Sequence, residues 1–259
     1  MTQFKFIDFA PEVFSEIRKF FGITEQEYMS SLGPEQVLAA FFHKNFDYIY
    51  QLCSTGKSGS LLYFTKDRNY MMKEIHEDEF EKLRNILKPY YEYLTNNKET
   101  LVSRFFGLHK VIWKDGSNEK KINYIVIMNN VFKFKDFEIG IRFDLKGSSE
   151  GRSVLSEGRR MADHCLEGMK TALKCNDWRK HINTVTFAEA SNNRKFIDVV
   201  ESDGRFLKDC GVMDYSLLIG EVLALSDNTK IQNVPWSVLK KHVMEPNPNI
   251  KKLLSAEEL

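Results

Sequence analysis

The segment Ser54-Thr-Gly-Lys-Ser-Gly-Ser60 combines two glycines with small hydroxyls just ahead of an apolar run. Bare backbone N–H groups in such a segment can approach a polyphosphate closely. Fourteen residues beyond Gly59 stands Lys73, embedded in Tyr70-Met-Met-Lys-Glu-Ile75. A strand lysine that follows a glycine-rich turn neutralises the α- and β-phosphates of a nucleotide in kinases, and a carboxylate on the next helix holds its ammonium. Gly56, Ser58, Gly59 and Ser60 are therefore the candidate phosphate-covering residues, and Lys73 the candidate phosphate ligand. Glu81 is the expected carboxylate, with Glu79 the alternative. Gly56-Lys57-Ser58 imitates the end of a P-loop, but that motif requires a glycine where Gln51 stands, so a P-loop is excluded.

These residues need elements to carry them. Two short apolar runs within 59 to 75, separated by Lys66-Asp-Arg-Asn69, predict an antiparallel hairpin. A helix is expected at about 77 to 95, with Phe80, Leu83, Leu87, Tyr91 and Leu94 on one face. Strands follow at 105 to 113 and 122 to 128 around the turn Asp115-Gly116-Ser117. Ahead of all this, Ala10-Pro11-Glu12 opens an amphipathic helix whose Val13, Phe14, Ile17, Phe20 and Phe21 recur at helical spacing until Gly22; it is expected to pack on the body of its own domain. Later strands are expected at 139 to 145, 184 to 189 and 215 to 224, and a helix at about 192 to 210, while 149 to 182 resists assignment. The order of elements is α+β, without the alternation of a parallel βαβ sheet.

The chain of 259 residues carries mixed-sign charge with a net of +1, which argues against a surface built to hold nucleic acid; no nucleic-acid partner is expected. Cys53, Cys165, Cys175 and Cys210 show no zinc spacing and read as reduced cytosolic thiols. No run approaches the roughly 18 to 20 apolar residues of a membrane span. The opening MTQFKFIDFAPEVF carries an acid and a proline where a signal peptide would be apolar, so any membrane contact is expected to be peripheral, from the cytoplasm.

Asp144-Leu-Lys-Gly-Ser148 and Met213-Asp-Tyr-Ser-Leu-Leu218 resemble the DLKGS and MDYSLL motifs of the phosphatidylinositol phosphate kinases. The resemblance runs over roughly residues 4 to 224 and includes the glycine hairpin with Lys73, the hinge-like Ile125-Val-Ile-Met-Asn-Asn-Val-Phe132, and Leu173-Lys-Cys-Asn-Asp-Trp178. It implies a two-lobed lipid-kinase fold distantly similar to protein kinases, with one catalytic domain over 1–259: an N-terminal lobe to about 132, a C-terminal lobe over about 133–224, and a divergent tail over 225–259. The implied reaction moves the γ-phosphate of ATP, with Mg²⁺, to a phosphatidylinositol monophosphate, and phosphatidylinositol 4-phosphate 5-kinase chemistry is favoured. By that resemblance Asn130 and Val131 present hinge backbone to adenine, Asp144, Lys146 and Arg152 serve the substrate, and Asp214 orients the attacking hydroxyl, with Lys146 near the γ-phosphate. A peripheral anionic membrane surface, touched through Arg152, Arg159, Arg160 and Lys170, and a homodimer belong to the same expectation.

The resemblance departs in a lesser way at Cys175, where the pattern has an acid and Asp177 keeps one carboxylate, and in a larger way near its end. After Leu218 the family has an apolar strand ending in a metal-binding aspartate, then a basic activation loop, and neither is found. The acids beyond Asp214 are Glu221, Asp227, Glu245, Glu257 and Glu258, so no metal ligand is assigned. Residues 234 to 243 are expected to form a short helix, and a noncatalytic module that binds nucleotide, phosphoinositide or a partner kinase remains the alternative function.

Overall fold

A computed structural model describes residues 4–33, 49–53, 61–114, 119–133, 138–155, 172–181, 190–223 and 237–238. The fold is α+β and divides into two compact units. The first comprises Met1–Lys98 and Val102–Asn130; the second comprises Glu99–Leu101 and Val131–Leu259.

The first unit is built on a six-stranded sheet, ordered β1-β5-β6-β4-β3-β2. Its strands are β1 (Phe4–Asp8), β2 (Ile49–Cys53), β3 (Leu61–Thr65), β4 (Tyr70–Ile75), β5 (Phe105–Lys114) and β6 (Lys120–Asn129), and every pairing is antiparallel. The hairpin expected over 59 to 75 is β3–β4, closed by Asp67, whose carboxylate accepts from Thr65 Oγ1 at 2.5 Å and from the Asn69 N–H at 3.0 Å. Strands β1 and β2 were not anticipated. They lie on the two edges, where a single partner suffices and the sequence pattern is short.

Helix α1 (Pro11–Phe20) starts with proline at its first position and buries Phe14 and Ile17. Arg18 ties it to the sheet by donating to the Phe106 carbonyl at 2.7 Å, and Phe14 and Ile17 pack within its own unit while Phe20 stays exposed. Thr24 and Glu27 form a reciprocal capping box at the start of α2 (Glu25–Leu32). Helix α3 (Glu77–Asn96) buries Phe80, Leu83, Tyr90 and Leu94. Tyr90, not the expected Tyr91, is the inward residue, because alternating steps of three and four from Phe80 through Leu83 and Leu87 arrive at 90 before 94. The Tyr90 hydroxyl donates to the Ser103 carbonyl at 2.8 Å and accepts from the Phe105 N–H at 2.7 Å, anchoring the helix to the start of β5.

The second unit carries a four-stranded sheet, ordered β10-β9-β7-β8. Its strands are β7 (Glu138–Leu145), β8 (Leu173–Lys174), β9 (Leu217–Leu223) and β10 (Ser237–Val238). Strand β7 pairs antiparallel with β9 and parallel with β8. Helix α4 (Cys175–His181) follows β8 directly, and α5 (Ala190–Asp209) leads towards β9. The core joins Ile141, Phe143, Leu155, Leu173, Trp178 and Ile219, with the Phe143 and Trp178 rings edge to face at 5.0 Å. Ser237 and Val238 extend along β9, which corrects the helix expected over 234 to 243: an available strand edge outweighs a weak helical pattern. The strand expected at 184 to 189 lies outside the described residues.

Candidate functional site

Strand register builds the site of the second unit. Asp144 and Leu145 at the end of β7 lie opposite Leu218 and Leu217 at the start of β9. Lys146, one residue past β7, and Asp214, three before β9, therefore come to the same end of the sheet. Lys146 Nζ lies 2.5 Å from Asp214 Oδ2.

Asp214 reaches that place through a sequence of turns. Helix α5 ends where Gly211 takes a left-handed backbone, φ 62°, and donates its N–H to the Lys208 carbonyl at 2.8 Å. Asp214 then takes a left-handed backbone itself, φ 62°, which few residues other than glycine, asparagine and aspartate adopt. Its side chain is 81% exposed, and Met213 beside it is 86% exposed. The hydrogen bond and charge of Lys146 hold the Asp214 carboxyl below the usual carboxylate range, opposed weakly by desolvation and helped by the Arg152 charge. An exposed carboxylate, ionised at neutral pH and adjoining an ammonium, can orient a hydroxyl and meet a phosphoryl group.

Arg152 lies on the same loop as Lys146 but is buried, with 9% exposure. Its Nη2 donates to the Asp144 carbonyl at 2.5 Å and lies 3.2 Å from the Asp144 carboxylate. Asp144 is thus the counter-ion that holds Arg152. Burial also corrects Arg152 as part of an exposed basic face: only 11% of its side chain reaches solvent. Arg159, Arg160 and Lys170 lie outside the described residues.

Parallel pairing of β8 with β7, Phe143 opposite Leu173 and Asp144 opposite Lys174, brings the Leu173–Trp178 segment against this loop. Cys175 is buried, and its Sγ accepts from the Lys146 N–H at 3.2 Å. Burial pushes the Cys175 thiol up, but the Lys146 N–H, the Arg152 guanidinium and the Gly147 N–H overcome it and hold it below its ordinary value. Asp177 is wholly buried and accepts from Ser153 Oγ at 2.7 Å and from the N–H groups of Val154, Lys174 and Leu155 at 2.9, 3.0 and 3.3 Å. Burial opposes its charge, yet these donors keep it ionised below the usual carboxylate range. The work done by Asn176 and Asp177 was missed in the sequence; the matching Leu173–Trp178 segment was the available signal.

In the first unit, Lys73 sits mid-sheet, opposite Leu62 of β3 and Val126 of β6, on the strand face opposite buried Met72. Its Nζ lies 3.1 Å from Glu79, which corrects the expectation of Glu81. Glu79 stands at the third position of α3, where its other oxygen accepts from the His76 N–H at 2.9 Å, so one carboxylate caps the helix and holds the lysine. Glu81 is two residues on, turned by about 200° around the helix, and pairs with Arg84 at 2.8 Å. The glycine segment with Gly56, Ser58, Gly59 and Ser60 lies outside the described residues.

Asn130 is buried, with its N–H donated to the Asn69 carbonyl at 3.0 Å and its side-chain amide to the Arg68 carbonyl at 2.8 Å. Both groups are committed to the β3–β4 turn. Val131 is half-buried.

Among the described residues no group of three His, Cys, Asp or Glu side chains could hold a metal ion. Asp144 faces Arg152 and Asp177 is filled by protein donors, which leaves Asp214 as a single carboxylate beside a cation. A protein-only cage for a cation is thus absent among the described residues, whereas Mg²⁺ in nucleotide sites is ordinarily held by one or two carboxylates together with substrate phosphates and water.

Comparison with known proteins gives a consistent result. The model of the family described as Phosphatidylinositol-4-phosphate 5-Kinase matches residues 44–251. The chain is 36% identical over 217 residues to a phosphatidylinositol 4-phosphate 5-kinase of Plasmodium falciparum, an overlap of 83% of this chain and 12% of that protein. It is 37% identical over 243 residues to phosphatidylinositol 4-phosphate 5-kinase its3 of Schizosaccharomyces pombe, covering 93% and 30%. Against phosphatidylinositol 4-phosphate 5-kinase 5 of Arabidopsis thaliana the identity is 35% over 219 residues, covering 85% and 25%. The chain spans less than a third of the length of these curated relatives.

Proposed function

From membership of the phosphatidylinositol-4-phosphate 5-kinase family, to which this chain belongs, we infer that it phosphorylates phosphatidylinositol 4-phosphate to the 4,5-bisphosphate with ATP as donor. The observation that carries this reading is the Lys146–Asp214 pair, held by β7–β9 register with Asp214 open to solvent.

Phosphoryl transfer asks for alignment and charge compensation more than for covalent chemistry. Asp214 accepts the proton of the attacking inositol hydroxyl and orients its oxygen. Lys146 moves its charge from Asp214 to the γ-phosphoryl oxygens as they arrive, which frees the carboxylate for the hydroxyl. Arg152, preorganised by Asp144, holds the phosphate already on the headgroup with its planar fork. Lys73, steadied by Glu79, binds the α- and β-phosphates, and the 56–60 segment covers them. Family membership further supports Mg²⁺ as the nucleotide's companion ion, a homodimer and peripheral work on the cytoplasmic face of a membrane. Among the described residues no helix is long and apolar enough to cross a membrane.

A noncatalytic reading draws on one observation, the lack of a carboxylate cluster for a metal among the described residues. It predicts headgroup binding without turnover. The deciding experiment incubates the chain with labelled ATP, Mg²⁺ and vesicles bearing each phosphatidylinositol monophosphate in turn, with Asp214→Ala as control. Labelled 4,5-bisphosphate from the 4-phosphate lipid is expected. No label above the control removes the enzyme reading, and a product from another monophosphate alone removes the substrate assignment.

A further inference from the structure

The loop from Lys146 to Leu155 carries both cations of the second unit's site, yet no helix or strand runs through it. Gly147 and Gly151 take positive φ, 74° and 61°, and the backbone contact within it, from the Arg152 N–H to the Ser149 carbonyl, is long at 3.4 Å. Such a segment has many conformations open to it, and a cation on it is aligned only as well as the loop is held.

The hold comes from outside. Cys175 Sγ accepts the Lys146 N–H at 3.2 Å. Asn176 donates its side-chain amide to the Ser149 carbonyl at 2.8 Å and its N–H to the Arg152 carbonyl at 2.9 Å. Asp177 accepts from Ser153, Val154 and Leu155. Three consecutive residues thus grip the loop near its start, at its middle and at its end. These residues form the first turn of helix α4, which is itself anchored: β8 registers its start on β7, and Trp178 packs against Phe143.

Resting on the lipid-kinase reading above, we propose that Cys175-Asn176-Asp177 is the positioning turn of the site. It fixes the Lys146 ammonium and the Arg152 guanidinium at one separation, and so selects which spacing of reacting hydroxyl and existing phosphate the chain accepts. The turn touches neither nucleotide nor lipid. Cys175 sets the Lys146 end, Asn176 the carbonyls on either side of Gly151, and Asp177 the segment that leaves Arg152. The number of grips matters because a loop pinned once still pivots, whereas three pins along its length leave a single arrangement.

Asn176 provides the cleanest test, because it is half-buried and its side chain makes the Ser149 contact outside the hydrophobic core. In Asn176→Ala, KM for phosphatidylinositol 4-phosphate in vesicles should rise about five- to tenfold, the change expected for one lost hydrogen bond. KM for ATP and the melting temperature should stay level, and the preference for the 4-phosphate over the 3-phosphate lipid should narrow. Asn176→Asp, which has no amide donor, should match the alanine variant, and Asn176→Gln should recover part of the loss. Hydrogen exchange of the Gly147–Arg152 amides should speed up in Asn176→Ala, a readout independent of turnover. Unchanged lipid KM and exchange overturn the proposal, as does an equal loss for both substrates with a lowered melting temperature, which marks a general structural role. A wild-type chain without turnover counts against the kinase reading alone; exchange then decides the positioning, faster in the variant if the turn is the clamp and unchanged if it is not.

Discussion

Lys146 Nζ and Asp214 Oδ2 stand 2.5 Å apart on two segments separated by about half of the second unit's sequence, and Asp214, in a left-handed backbone, presents its carboxylate to solvent at that contact. Asparagine tolerates the same backbone. Asp214→Asn should therefore melt like the parent while phosphoryl transfer falls by about 10²-fold or more, as for loss of a positioned proton acceptor.

The pair also has a pH signature. Lys146 depresses the Asp214 carboxyl, so the ionised contact exists above the ordinary carboxylate pKa and is lost as pH falls through the lower folded value. In Lys146→Met the Asp214 carboxyl should titrate closer to the ordinary range. Carboxyl-carbon NMR of the labelled chain measures this directly, and an unmoved Asp214 resonance would contradict the assignment of cause.

Glu79 and Glu81 separate two expectations that the sequence left side by side. Glu79→Gln weakens the hold on Lys73 and should lower affinity for ATP by about two- to fivefold, within the range of a part-exposed ion pair. Glu81→Gln disturbs the Arg84 contact alone and should leave it unchanged. Calorimetric titration of both variants with ATP compares them on one scale.

Asp203 on α5 binds residues 99 to 101 into the second unit, accepting from Thr100 Oγ1 at 2.6 Å and the Leu101 N–H at 2.7 Å. Asp203→Ala leaves two donors without their acceptor and should cost about 2 to 3 kcal/mol of stability. Denaturant unfolding measures the loss, and a change under about 0.5 kcal/mol would show that water replaces the carboxylate without penalty.

Asp177 makes the second unit acid-sensitive. Its folded pKa lies below the unfolded one, so its contribution is complete above the ordinary aspartate pKa and disappears as pH falls through the depressed value. Asp177→Asn should be destabilised at neutral pH, with a shallower loss of stability than the parent as the medium is acidified through that window. Parallel pH-dependent unfolding curves for parent and variant would contradict it.

Much of the chemistry was legible along the chain. Lys73, Lys146, Arg152 and Asp214 announce themselves by residue type and motif, and α1, α3, α5 and the β3–β4 hairpin by periodicity, because 3.6- and 2-residue repeats of burial are written locally. The edge strands β1 and β2 escaped because an edge needs one partner and leaves a short pattern. Glu79 was ranked behind Glu81 because the choice depends on where the first turn of α3 begins, and that is set by its cap at His76.

By itself, then, the sequence determined which side chains were available for phosphate chemistry and which segments would be strand or helix. Tertiary structure alone decided which of them meet. Antiparallel pairing of β7 with β9 joins Lys146 to Asp214, and parallel pairing of β7 with β8 sets Cys175, Asn176 and Asp177 under the cation loop. Register is a relation between distant segments: a slip of one residue would turn every side chain of a strand to the other face, and no local pattern in either segment states which partner the ladder will choose.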